Sequence, residues 1–197
     1  DGRPALIVAP YYNKPTQEGM FRHFAHIAKA VDIPIVLYNI PGRTGVTMTS
    51  ATVARLAAGC KNIVAMKEAT GSLDSCSELC AMNFPVLSGD DSLTLPMIAV
   101  GAAGVISVAS NIIPRQIRQL VDAARAGDLA QARQIHLRFF PLIKTLFLEG
   151  NPAGIKAAMR LLGRDTGELR LPLCEISDGT RALLHAALFN AGLIQDN

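Results

Sequence analysis

Two stretches of this chain end an apolar run in a reactive side chain and then turn on glycine. One is Ile35-Val36-Leu37-Tyr38-Asn39-Ile40-Pro41-Gly42-Arg43-Thr44-Gly45, and the other is Ile63-Val64-Ala65-Met66-Lys67-Glu68-Ala69-Thr70-Gly71. A lysine at the end of an apolar strand sits where desolvation disfavours its charged form. The free amine that results can attack a carbonyl and form a Schiff base. A tyrosine ending a nearby strand can carry protons for that step. Lys67 and Tyr38 together point to imine-forming carbon–carbon chemistry.

The elements that must position them follow from periodicity. Up to about Ala126, short apolar runs alternate with helical patterns. The strand candidates are Ala5–Ala9, Ile35–Asn39, Ile63–Lys67, Val86–Ser88 and Val105–Val108. They are nearly continuous in Val, Ile, Leu and Ala, the pattern of parallel strands buried on both faces. Helices are predicted near Gln17–Val31, Ser50–Ala58, Leu73–Met82, Ser92–Val100 and Arg115–Ala126, the last opened by Pro114. Thr16 and Thr49 are the expected caps of the first two, with Glu18 in the first turn. Beyond Gly127 the strands stop. Asp128–Leu148, Pro152–Leu162 and Ser177–Ala191 read as three helices, with Asp128 and Ser177 as caps and a break at Gly150-Asn151-Pro152. The chain is therefore expected to be an α/β domain over 1–127 with a helical domain over 128–197.

The polar residues of interest all fall at C-terminal ends of predicted strands. Tyr11 and Tyr12 follow the first, Tyr38 ends the second and Lys67 the third. Gly89-Asp90-Asp91 follows the fourth, and Ser107 to Asn111 end the fifth. The chain has 3 tyrosines, and all lie at this one edge. One tyrosine there would be read as an amphipathic ring at a strand end. All three together with a lysine favour a site, because barrels and doubly wound sheets build their sites at this edge.

Composition removes other classes. Half of the 197 residues are hydrophobic, which argues for a large core and against disorder. The net charge of +3 is spread along the chain without a basic stripe, and aromatics are only 5%, so nucleic acid and membrane surfaces are not expected partners. No apolar stretch reaches the length of a membrane span, and no signal-peptide pattern opens the chain at Asp1, so a cytoplasmic location is expected. Cys60, Cys76, Cys80 and Cys174 form no C-x-x-C pair. They read as reduced, partly buried thiols, with Cys76 and Cys80 able to share a helix face. His23, His26, His136 and His185 read as packing or surface residues, and no metal or other cofactor is expected.

At these residues the chain resembles the dihydrodipicolinate synthase family, pyruvate-dependent lyases of the class I aldolase type. The matching segments are Ala9 to Gly19, Leu37 to Gly45, Lys67 to Gly71, Leu87 to Asp91 and Gly104 to Val108. The resemblance implies a (β/α)8 TIM barrel with a C-terminal three-helix segment. It implies condensation of pyruvate with L-aspartate 4-semialdehyde on the path to diaminopimelate and lysine. Lys67 matches the Schiff-base lysine, Tyr38 the proton donor and acceptor, and Tyr12 the relay tyrosine that reaches a neighbouring subunit. Tyr11 matches the residue at the tight dimer interface beside the lysine-inhibitor site. Arg43 matches the arginine that meets the semialdehyde carboxylate, and Gly89 and Ile106 match positions lining the pyruvate pocket. A homotetramer, built as a dimer of dimers, is the implied assembly. Arg43-Thr44-Gly45 also separates the chain from N-acetylneuraminate lyase relatives, since a guanidinium fork suits a small carboxylate.

One departure is large. The five strands match the last five of a barrel that needs eight. The family's Gly-Thr-Thr-Gly-Glu stretch, which holds the pyruvate carboxylate and links the two relay tyrosines, is not in this sequence. The polar start Asp1-Gly2-Arg3-Pro4 reads as a cut or a divergent junction. The expected fold is thus a partial TIM barrel of the last five β-α units, truncated or completed by an N-terminal fragment. Against the lyase reading stand a non-catalytic assembly or regulatory fragment and a sister pyruvate aldolase.

Overall fold

The computed structural model describes residues 3–195, so Asp1 and Gly2 of the polar start lie outside the described residues. These form two compact units that divide between Ile106 and Ser107. The first is a five-stranded parallel sheet in sequential order: β1 Ala5–Val8, β2 Ile35–Asn39, β3 Ile63–Glu68, β4 Val86–Ser88 and β5 Gly104–Val105. Helices α1 Gln17–Ala30, α2 Pro41–Thr44, α3 Ser50–Gly59, α4 Leu73–Ala81 and α5 Thr94–Ala99 connect the strands. Ile35, Leu37, Met66 and Val86 of the sheet pack with Met20, Phe24, Leu56 and Leu79 of the helices in a continuous apolar core.

Local chemistry explains the helix starts. Thr16 Oγ1 accepts from Gly19 N at 3.2 Å and Thr49 Oγ1 from Thr52 N at 3.3 Å, as the sequence predicts. Ser72 Oγ does the same for α4, accepting from Ser75 N at 3.1 Å. Glu18 pairs with Arg22 and with Arg55 of α3, both at 2.8 Å.

One irregularity sets the register. Ile35 pairs with Ile63, but Val36 pairs with Ala65, so β3 bulges at Val64. Beyond the bulge Tyr38 faces Lys67 and Asn39 faces Glu68. Without it Tyr38 would oppose Met66, and the lysine would point to the other face of the sheet.

Three elements differ from the sequence reading. Pro41–Thr44 form a helical turn where a simple Pro-Gly turn is expected. Pro41 starts it, Thr44 Oγ1 bonds back to Ile40 O at 3.1 Å, and Gly45 closes it at φ 73°. The helix expected at Ser92–Val100 begins as a 3-10 turn over Asp91–Leu93, because Asp90 Oδ1 accepts from both Ser92 N (3.0 Å) and Ser92 Oγ (2.9 Å). The fifth strand keeps Gly104–Val105 instead of Val105–Val108. Ile106 N still reaches Ser88 O at 2.9 Å, but Ser107 Oγ then accepts from Ser110 N at 2.8 Å and the chain coils.

The second unit is helical: α6 Pro114–Arg125, α7 Leu129–Leu146, α8 Ala153–Leu161 and α9 Asp178–Asn190. Asp128 and Ser177 cap α7 and α9 as expected, at 3.0 and 3.2 Å. α7 packs on α6, α8 and α9 through Phe139, Leu142, Ile143 and Leu146. The sequence places the boundary after α6, at 127. In the structure α6 belongs with the helices, since Ile117 and Leu120 are buried beside α7.

Candidate active site

The C-terminal ends of β2, β3 and β4 bring Tyr38, Lys67 and Gly89 together. Lys67 Nζ lies 4.2 Å from the centroid of the Tyr38 ring. Both side chains are half-buried. Burial pulls the Lys67 pKa below that of an ordinary lysine. The Asp91 charge opposes this shift and the Arg43 charge adds to it. Burial pushes the Tyr38 phenol up, with Arg43 working the other way. The amine is thus easier to free, and the phenol is held in the protonated form that can donate.

Gly89 is fixed by space. A Cβ there would stand 2.7 Å from Ala69 Cβ, 3.1 Å from Glu68 O and 3.2 Å from Lys67 Cε, so a side chain at 89 would force Ala69 to shift and crowd the lysine stem. Its N–H donates to Glu68 O at 2.7 Å, which ties the β4 exit to β3. Ile106 sits on the next connection, its N–H bonded to Ser88 O. Arg43 lies exposed on α2, near enough for its charge to act on both Lys67 and Tyr38.

Tyr11 and Tyr12 do not join this group. The two residues are 67% and 93% exposed, and Tyr12 holds a left-handed backbone at φ 69°. A bulky residue there carries a conformational cost of roughly 1 kcal/mol or more, with no burial in this chain to offset it.

Sequence reasoning missed the polar residues beneath the site. Asn39, Glu68 and Ser88 follow Tyr38, Lys67 and Leu87 on the opposite face of the sheet, and all three are buried. Asp91, noted only as part of the Gly89-Asp90-Asp91 turn, is buried too. The available signal was a polar residue closing three of the five apolar strands, β2, β3 and β4.

Cys76 and Cys80 do share a face of α4, with Sγ atoms 3.9 Å apart, and burial pushes the Cys76 thiol up to about 12. Among the described residues no group of three or more His, Cys, Asp or Glu is placed to hold a metal ion, and no helix is long and apolar enough to cross a membrane.

Fold and site together define a class: a parallel α/β protein with a half-buried lysine against a tyrosine at its C-terminal strand edge. The sequence matches the dihydrodipicolinate synthetase family over residues 3–191, and the chain belongs to that family. It is 54% identical over 192 residues to the 4-hydroxy-tetrahydrodipicolinate synthase of Pelobacter propionicus, covering 96% of this chain and 66% of that protein. The dihydrodipicolinate synthase structure from Aquifex aeolicus superposes with a TM-score of 0.95 at 49% identity, covering 98% of this chain and 67% of that one. The chloride-inhibited enzyme from Acinetobacter baumannii, crystallised with pyruvate, gives 0.93 at 41% identity, covering 97% and 66%. The chain therefore spans about two thirds of the length of the relatives it matches.

Proposed function

We propose that this chain carries the reacting part of a lyase that condenses pyruvate with L-aspartate 4-semialdehyde. The observation that supports it most is the Lys67 amine, half-buried and 4.2 Å from the Tyr38 ring centroid at the strand edge. The free amine attacks the pyruvate ketone carbon, and the adduct loses water to leave the imine. Tyr38 is the proton carrier for these steps. Arg43, set outward on α2, holds the carboxylate of the aldehyde substrate. Gly89 and Ile106 border the pyruvate. The names of the relatives, and the pyruvate bound by the Acinetobacter baumannii enzyme, favour these substrates.

Completion of the barrel by further β-α units is part of the proposal. Among the described residues β1 and β5 each pair on one side only, and Leu6 and Val64 are 45% and 39% exposed. Such edges and apolar residues call for cover. An N-terminal segment that supplies the remaining β-α units of a TIM barrel, in this polypeptide or as a separate fragment, would give it. The exposed Tyr12, held at positive φ, serves as a relay to a neighbouring subunit. Tyr11 packs at the same interface of a dimer of dimers, and the location is cytoplasmic.

A second reading, a non-catalytic assembly or regulatory fragment, draws on the same free edges and on the coverage of 66%. A sister pyruvate aldolase would share the amine and differ in the aldehyde accepted. The condensation rate, measured for the chain alone and with an added fragment carrying the first three β-α units of a relative, separates them. The chain alone is expected to be slower by about a hundredfold or more, because fixed donors to the substrate carboxylate are worth that much. Full activity of the chain alone would remove the need for completion. No condensation in a verified complex would overturn the lyase reading.

A further inference from the structure

Asn39, Glu68 and Ser88 form a polar row on the face of the sheet that otherwise meets the apolar helices. They are register neighbours: Asn39 pairs with Glu68 and Glu68 with Ser88. Each is at most 1% exposed. Polar groups in such a place cost roughly 1–3 kcal/mol each unless they are hydrogen-bonded, and parallel strands ordinarily put Val or Ile there.

The bonds of this row lead to the segments that leave the strands. Asn39 Nδ2 donates to Glu68 Oε2 at 3.2 Å and to Met48 O at 3.1 Å, and Asn39 Oδ1 accepts from Met48 N at 3.0 Å. That closes the loop holding Arg43. Glu68 Oε1 accepts from Thr70 N at 2.6 Å and Oε2 from Ser75 Oγ at 3.1 Å, which ties the β3 exit to the first turn of α4. Ser88 Oγ donates to Asp90 O at 2.7 Å and accepts from Asp90 N at 3.2 Å, next to Asp91. The row therefore anchors Lys67 itself and the two segments whose charges, Arg43 and Asp91, act on it.

We propose that Glu68 is a positioning residue for Lys67: the buried row centred on its carboxyl group fixes the end of β3 and the loops around it, and so holds the amine against Tyr38. This rests on the reading of Lys67 as the reacting amine. A core built only for stability would gain nothing from directing three strand ends to three loops. Misplacing a reacting group by about 1 Å costs on the order of a hundredfold in rate, which gives such an anchor a function beyond stability.

The test uses the full chain and Glu68→Gln. The replacement keeps the size, but its amide nitrogen must face either Thr70 N or Asn39 Nδ2 and so strands one of these two donors, while the Ser75 hydroxyl can turn to accept. Circular dichroism and a melting curve give the folded fraction. Reductive methylation of Lys67 by formaldehyde and cyanoborohydride is followed against pH by peptide mass, with an unstructured lysine peptide as the reference. Borohydride trapping of pyruvate is measured per folded molecule in the completed barrel. In the parent chain the Lys67 profile is expected at lower pH than that of an ordinary lysine. In Glu68→Gln it should move toward the ordinary lysine value, and trapping should fall about tenfold. A folded Glu68→Gln chain with an unmoved profile and an unchanged trapping rate overturns the proposal. If that variant does not fold, Ser75→Ala, which removes one donor, is read the same way with a smaller expected change, and an unmoved profile again overturns it. A parent chain that traps no pyruvate, yet whose Lys67 profile moves in Glu68→Gln, supports the positioning role and overturns the reading on which it rests.

Discussion

The two faces of the sheet at the ends of β2 and β3 could hardly differ more, although adjacent residues build them. Tyr38 and Lys67 on one face are half-buried, and burial works against the charged form of each. Asn39 and Glu68, one residue later on the other face, are fully buried and bonded to each other and to the neighbouring loops. The contrast separates two tasks. A group that must react is kept partly unsatisfied, while the groups that aim it are satisfied as fully as a core demands.

The largest effect on that contrast should come from emptying the satisfied face. Asn39→Leu would strand Met48 N and Met48 O in the core and leave Glu68 Oε2 with Ser75 Oγ alone as donor. It should cost about 3 kcal/mol or more of stability by urea unfolding, since each stranded buried group costs roughly 1–3 kcal/mol. A loss of under about 1 kcal/mol would mean that the row is not a structural anchor. Gly89→Ala attacks the other face. Its Cβ would press on Ala69 and on the Lys67 stem, so about 1–3 kcal/mol of stability should go together with slower reductive labelling of Lys67. A stability loss with labelling unchanged would show that Ala69 yields and Lys67 does not move.

Arg43→Ala should be milder. It lies outside both faces, so imine formation should survive while use of the aldehyde substrate drops about tenfold, the worth of one charged fork on a carboxylate. Equal loss of both steps would give Arg43 a structural role.

The smallest effect is one of pH. Folding lowers the Lys67 pKa, so between that lowered value and the ordinary 10.5 the folded chain binds fewer protons than the unfolded one. Stability then rises with pH through this window, and the penalty is fully present below it. Lys67→Met removes the penalty. It should melt a few degrees above the parent chain at pH 7, and the gap should close as the pH approaches 10. A gap that is constant with pH would assign the gain to packing instead of charge.

Much of this was legible in the sequence, for a definite reason. Apolar runs ending in Tyr38 and Lys67 announce both the strands and the edge where the site lies, and Thr16, Thr49, Asp128 and Ser177 mark helix starts by side-chain chemistry alone. The polar row was not legible. A single polar residue closing an apolar strand reads equally well as the solvent end of that strand, and its burial depends on the helices packed below. Nor could the pairing of Tyr38 with Lys67 be read, because it depends on the bulge at Val64, and Val64 looks like any other member of its apolar run. The helical turn at Arg43 was hidden for a related reason: Pro-Gly favours a turn, and the bonds that extend it come from Thr44 and Gly45 together.

The central claim is that the half-buried amine of Lys67 is the group that takes up pyruvate. Borohydride reduction of the protein in the presence of pyruvate, followed by peptide mass mapping, tests it directly. A reduced pyruvate adduct on the peptide holding Lys67, absent in Lys67→Met, is the expected result. A completed barrel that gains no adduct, or gains it equally at Lys29 and Lys61, would contradict the account.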